Sequence, residues 1–196
     1  MRVKRFLACL GLVLSWAVLS LLPGCAGGAH DFAVQRLDGS RIQLSPSPDT
    51  RLWAFVFVGV DCPIANRCLP ELAALAREHS PAGVRFVFVY PNPDETPDAI
   101  RRHQAEYGLE GEVFRDPELR LAQRLNASKT PEAVVLTVDG KPVYRGRVND
   151  QYLALGQAKP APTRRDLAEA LAEFRAGRTP SGLAQPAVGC TFRSLP

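Results

Sequence analysis

The stretch from Leu52 to Leu72 constrains this chain more than any other. LWAFVFV (52–58) is an unbroken apolar run rich in β-branched and aromatic residues, which predicts a strand buried on both faces. Pro63 then suits the first position of a helix, and LPELAALARE continues it with Leu69, Leu72, Ala73 and Ala76 on one side. Cys62 therefore stands where a buried strand hands over to a helix. The free N–H groups and positive dipole end of that helix favour an anion, so a thiol placed there ionises more readily than usual. A lone cysteine in a strand is more often an inert space-filler. The Cys-Pro pair opening an amphipathic helix argues for reactivity instead, with Cys62 as the nucleophile, reachable from solvent.

The N-terminus has a different character. Three basic residues, Arg2, Lys4 and Arg5, precede the apolar LACLGLVLSWAVLSLL, which ends at Pro23-Gly24-Cys25. This is the layout of a bacterial export signal over residues 1–24. LPGC resembles a lipobox, whose cysteine, here Cys25, carries lipid and begins the mature chain; ordinary cleavage and a retained span are the alternatives. The expected location is the bacterial cell envelope or periplasm, with a lipid anchor in a membrane.

Loss of the leader lowers the formal charge from +4 to +1, which gives no support to nucleic-acid binding. Of five cysteines, Cys62, Cys68 and Cys190 then remain as thiols in a compartment that permits disulfides.

Residues 25–30 read as a spacer, 31–176 as one α/β domain and 177–196 as a tail carrying Cys190. Within the domain, 31–44 alternates about Asp38-Gly39 as a small hairpin, and VRFVFVY (84–90) is a second buried strand. Thr96-Pro97 caps a helix that runs to Tyr107-Gly108. EVFRD (112–116) is a short strand, and Asp116-Pro117 opens a helix through Leu121 and Leu125. AVVLTV (133–138), Asp139-Gly140 and Val143-Tyr144 form a hairpin. Thr163, with Asp166 three residues on, caps a last helix bearing Leu167, Leu171 and Phe174 on one face. Alternating strands and helices followed by a hairpin and helix predict a sandwich with a mixed sheet.

Several residues now carry a resemblance. Cys62-Pro63-Ile64-Ala65 resembles the place of the Cys-x-x-Cys of thioredoxins, Pro70 their helix-kinking proline, and Thr130-Pro131 their cis-proline motif, which packs against the nucleophile. The long gap between Cys62 and Pro131, together with CPIANR, YRGRVND (144–150) and AVGC (187–190), resembles the redoxin branch, that of alkyl hydroperoxide reductase/thiol-specific antioxidant proteins. The resemblance implies a thioredoxin-like three-layer α/β/α sandwich with a β-α insertion over about residues 96–125. It also implies thiol–disulfide exchange with protein or small thiols, or with peroxide, an external reducing partner and no cofactor. A cis Pro131 would leave the Thr130 backbone free to pair with an extended substrate, with Asn66 and Arg147 as further candidate substrate contacts.

The chain departs from that pattern twice. Ala65 replaces the second thiol. Cys68 lies six residues from Cys62, about 240° around a helix and about 9 Å along it, whereas a disulfide needs Cα atoms roughly 4.4–6.8 Å apart. Cys190 is thus the preferred resolving thiol and Cys68 the lesser candidate. The second departure is Gly59, which takes the place where peroxiredoxins put a threonine; Arg145 and Arg147 are the candidates for a compensating charge in a peroxidase that uses Cys62. A third reading, copper binding without turnover, would enlist Cys62, Cys68 and either His79 or His103.

Overall fold

The computed structural model describes residues 32–180, 182 and 184–193. The expected leader, Cys25 and the spacer lie outside the described residues. In chain order the elements are β1 (Phe32–Gln35), β2 (Arg41–Leu44), β3 (Leu52–Phe57), α1 (Pro63–His79), β4 (Val84–Tyr90), α2 (Pro97–Tyr107), β5 (Glu112–Arg115), α3 (Arg120–Leu125), β6 (Lys129–Thr130), β7 (Glu132–Thr137), β8 (Pro142–Gly146), β9 (Tyr152–Ala154), β10 (Gln157–Ala158), α4 (Asp166–Arg175), β11 (Ala184–Gln185) and β12 (Cys190–Thr191).

The principal sheet has the order β11-β8-β7-β3-β4-β5-β1-β2. β3, β4 and β5 run parallel, while β7 pairs antiparallel with β3 and β8 with β7. Alternation along the central strands explains the layers. Leu52, Ala54, Val56 and Val58 face one side with Leu69 and Leu72 of α1, Ile100 of α2 and Leu167 and Leu171 of α4. Trp53, Phe55 and Phe57 face the other, against Phe32 and Leu121 and Leu125 of α3. The result is the expected three-layer α/β/α sandwich with a mixed sheet, and α2, β5 and α3 form the insertion between β4 and the strand before Pro131.

Local chemistry accounts for most boundaries. Thr96 Oγ1 accepts from Ala99 N–H at 3.2 Å, and Gly108 ends α2 in the left-handed region at φ 58. α3 starts later than expected, at Arg120. Leu119 sits at φ 56, and the Asp116 carboxylate reaches past it to accept from Leu121 and Ala122 N–H at 3.2 and 2.8 Å.

The expected cap of α4 is incorrect. Thr163 is turned instead to Asp150, whose carboxylate accepts from its hydroxyl at 2.6 Å and its N–H at 2.7 Å; α4 begins at Asp166 without a side-chain cap. Nor is the tail featureless, because β11 pairs with β8 and β12 with β6. Strands of two residues leave no periodicity to read.

Candidate active site

Cys62 occupies the N-cap of α1 at φ −89, ψ 105, with Pro63 following as the first helical residue. Its backbone carbonyl accepts from Asn66 N–H at 2.9 Å, and its Sγ accepts from Ala65 N–H at 3.4 Å. The thiol donates to the Thr130 carbonyl at 2.9 Å. The Thr130–Pro131 bond is cis. The buried Glu132 carboxylate steadies that loop, accepting from Ser128 and Lys129 N–H at 2.8 and 3.2 Å. Opposite Thr130 in the short β6–β12 ladder stands Cys190, which packs against the cluster of Cys62, Ile64 and Ala65 together with Val188 and Tyr152. The fold thus brings together Cys62, Thr130, Pro131 and Cys190. It does not leave the nucleophile open: Cys62 is 4% exposed, because the tail lies over it.

Burial pushes the Cys62 thiol up. Hydrogen bonds from the Cys190 and Thr130 side chains and from the Ala65 and Cys190 backbone outweigh it, so Cys62 is more acidic than an ordinary thiol. Cys190 moves the other way, to about 11, through burial and then through its hydrogen bond to Cys62 and the charge there. The interaction between the two side chains favours ionisation of Cys62 and opposes that of Cys190. Cys68 lies in the separate core beneath α1, and burial followed by the charges of Glu71 and Cys62 pushes it to about 12. Since α1 is unbroken from Pro63 to His79, joining Cys68 to Cys62 would unwind its first turns.

Two buried groups behind the nucleophile loop were not singled out from sequence. Glu95 Oε1 accepts from Val60 N–H at 2.8 Å and from Asn92 Nδ2 at 3.0 Å; burial raises its pKa. Both residues stand in the loop after β4, at the carboxyl end of a parallel strand, on the edge of the sheet where Cys62 also lies. That shared edge is the signal that could have found them. A side chain at Gly59 would start 3.2 Å from both Asn92 Nδ2 and Glu95 Oε1, so the threonine of a peroxiredoxin has no free space there.

The remaining sequence candidates are held by other partners. Asn66 donates to the Val60 carbonyl at 2.9 Å and faces His103 Nε2 at 2.8 Å, and His103 Nδ1 faces the Tyr90 hydroxyl at 2.8 Å. With the Asn66 amide donating to Val60, its oxygen must accept from His103 Nε2–H, and Nδ1 accepts from Tyr90. A neutral imidazole satisfies this chain and an imidazolium breaks it. Arg147 pairs with Asp166 at 2.8 Å, and Arg145 reaches the Asn126 carbonyl at 3.3 Å. Glu71 joins Asn149 at 2.6 Å and Arg165 at 2.8 Å. His79 is buried at the far end of α1, where a cleft of about 620 Å³ opens, lined by His79 and not by Cys62. Among the described residues no group of three or more His, Cys, Asp or Glu is placed to hold a metal.

The His103 chain has a pH consequence. Burial depresses its pKa below 6.5, against the opposing charges of Glu106 and Asp61. A depressed value means the folded state prefers the neutral ring, so its stabilisation is complete above about pH 6.5 and is lost as pH falls through the lower folded value. Urea midpoints should therefore drop on acidification more steeply for the wild type than for His103→Gln; parallel curves would show that His103 carries no such effect.

The Redoxin family profile matches residues 26–156. Among solved structures, an uncharacterized conserved protein from Geobacillus kaustophilus is 26% identical with a TM-score of 0.73, over 86% of this chain and 91% of that one. A hypothetical protein from Sinorhizobium meliloti is 22% identical with a TM-score of 0.74, over 86% and 93%. A secreted Mycobacterium tuberculosis disulfide oxidoreductase is 19% identical with a TM-score of 0.52, over 74% and 96%, a likeness of fold. No curated protein matches the chain. With a strand-to-helix cysteine set against a cis proline in a thioredoxin-like sandwich, and the profile covering most of the domain, the chain belongs to the redoxin family, whose chemistry is thiol redox.

Proposed function

We propose that this protein exchanges thiols and disulfides through Cys62, with Cys190 as the resolving thiol, in the cell envelope and anchored by lipid on Cys25. The supporting observation is the contact of Cys62 with both the Thr130 carbonyl and Cys190.

In the proposed cycle the Cys62 thiolate attacks one sulfur of a disulfide. A Cys62–substrate disulfide forms, and the other half leaves as a thiolate. Cys190 then gives up its proton and attacks the Cys62 sulfur. The product is a Cys62–Cys190 disulfide, the second substrate thiol leaves, and two electrons have passed to the substrate. A dithiol reductant returns them, and the reverse sequence oxidises a substrate dithiol. Thr130 and Pro131 form the wall beside the reacting sulfur.

Hydroperoxide reduction by the same thiol fits less well. Glu95 and Asn92 fill the space beside Gly59, and both candidate arginines are held elsewhere. A Cu(I) site would require Cys62 and Cys68 to converge, yet they lie in different clusters.

The test is a disulfide map. Mature protein oxidised with bis(2-hydroxyethyl) disulfide, alkylated and digested is expected to yield a Cys62–Cys190 linked peptide and an alkylated Cys68. A Cys62–Cys68 link would overturn the assignment. The same spectra of membrane-purified protein report whether Cys25 is lipidated.

A further inference from the structure

The sequence leads one to expect a free Thr130 backbone beside Pro131, open to an extended substrate. In the folded protein that edge is occupied. β12 lies antiparallel on β6, with Cys190 opposite Thr130 and Thr191 opposite Lys129. Phe192 N–H extends the pairing to the Ser128 carbonyl at 3.3 Å.

The tail is held from Gly189 to Arg193. Gly189 approaches so closely that a Cβ would overlap the Thr130 carbonyl oxygen and lie 2.7 Å from its carbon; only glycine lets the backbone pass. The Phe192 ring packs on Phe57 with centroids 5.4 Å apart. Arg193 N–H donates to Asn92 Oδ1 at 3.0 Å, and its guanidinium meets Asp94 at 2.8 Å. Asn92 in turn bonds Glu95, which holds Val60 in the nucleophile loop. Beneath this cover Thr130 is 1% exposed.

A polypeptide that presents its disulfide by strand pairing needs the hydrogen-bonding edge that β12 already uses. A small disulfide needs only a path to one sulfur. We infer that the tail strand makes the resting site selective for small disulfides, and that an extended polypeptide reaches Cys62 only by displacing β12 from β6. This rests on the thiol–disulfide exchange proposed above and adds to it the substrate class. Cys190 then has two tasks: it resolves the mixed disulfide, and its strand excludes chains that would pair at Thr130.

The test compares two disulfides with the same leaving thiol. One is bis(2-hydroxyethyl) disulfide; the other is an unstructured peptide whose central cysteine is linked to 2-mercaptoethanol. In both, the Cys62 thiolate attacks the disulfide, a bond to Cys62 forms, and a thiolate leaves. The first step is followed by rapid quenching and intact mass on the full mature chain. The wild type is expected to react faster with the small disulfide. Gly189→Val should raise the ratio of the peptide rate to the small-disulfide rate roughly tenfold, the weight of one or two displaced hydrogen bonds; the ratio cancels any change in Cys62 ionisation that follows from moving Cys190. Phe192→Ala, which keeps Gly189, should act in the same direction. Hydrogen exchange at Thr191 and Phe192 reports whether the strand has opened. Equal rates for both disulfides in the wild type, or a peptide-to-small-disulfide rate ratio unmoved in variants whose strand has opened, would overturn the inference while leaving exchange at Cys62 intact. Failure of both disulfides to modify Cys62 would sink the exchange reading itself.

Discussion

Replacing Cys62 with serine is expected to reduce the reduction of bis(2-hydroxyethyl) disulfide to background, a loss of roughly 10³-fold or more, the scale on which removing a covalent nucleophile acts. The reason lies in what surrounds the sulfur. Hydrogen bonds from Cys190, Thr130 and the Ala65 and Cys190 backbone overcome the burial that opposes ionisation. None of them can make a serine hydroxyl a nucleophile toward sulfur at neutral pH. Cys68 does not substitute, since a thiol pushed to about 12 holds almost no thiolate and sits in the core. Residual turnover above background in Cys62→Ser would place the chemistry on another residue.

Cys190→Ser should separate the two halves of the cycle. The first attack proceeds, a Cys62-linked mixed disulfide persists, and turnover falls by roughly 10²-fold or more, as expected when an intramolecular step becomes an intermolecular one. The pair also times itself electrostatically. While Cys62 is a thiolate, its hydrogen bond and charge join burial in raising Cys190 to about 11. Once Cys62 is capped as a disulfide that charge is gone, and only burial opposes the favourable fields of Arg193 and Lys129. Cys190 therefore becomes more acidic when its target exists. The alkylation midpoint of Cys190 in a Cys62→Ser background should accordingly lie below 11. Wild-type turnover in Cys190→Ser would remove it from the mechanism.

The fold was legible where one residue's neighbours in sequence are also its neighbours in space. The buried runs 52–58 and 84–90 appear as β3 and β4, and Thr96 caps α2 through its own Ala99 N–H. Thr163 misled because its capping pattern competes with Asp150, a partner thirteen residues earlier that accepts from both its hydroxyl and its N–H. Asn66 and Arg147 carry polar groups suited to a substrate, but His103 and Asp166, brought in by other elements, hold them.

By itself the sequence determined the sandwich and the placing of Cys62 where a buried strand hands over to a helix, because hydrophobic alternation, a first-turn proline and a helix terminus act within a few residues. The tertiary structure decided what covers Cys62, and it set Cys190, the thiol preferred from the sequence, beside it. Those answers depend on a two-residue strand crossing to Thr130 from sixty positions away, and such a pairing leaves no periodic trace in the amino acids that make it.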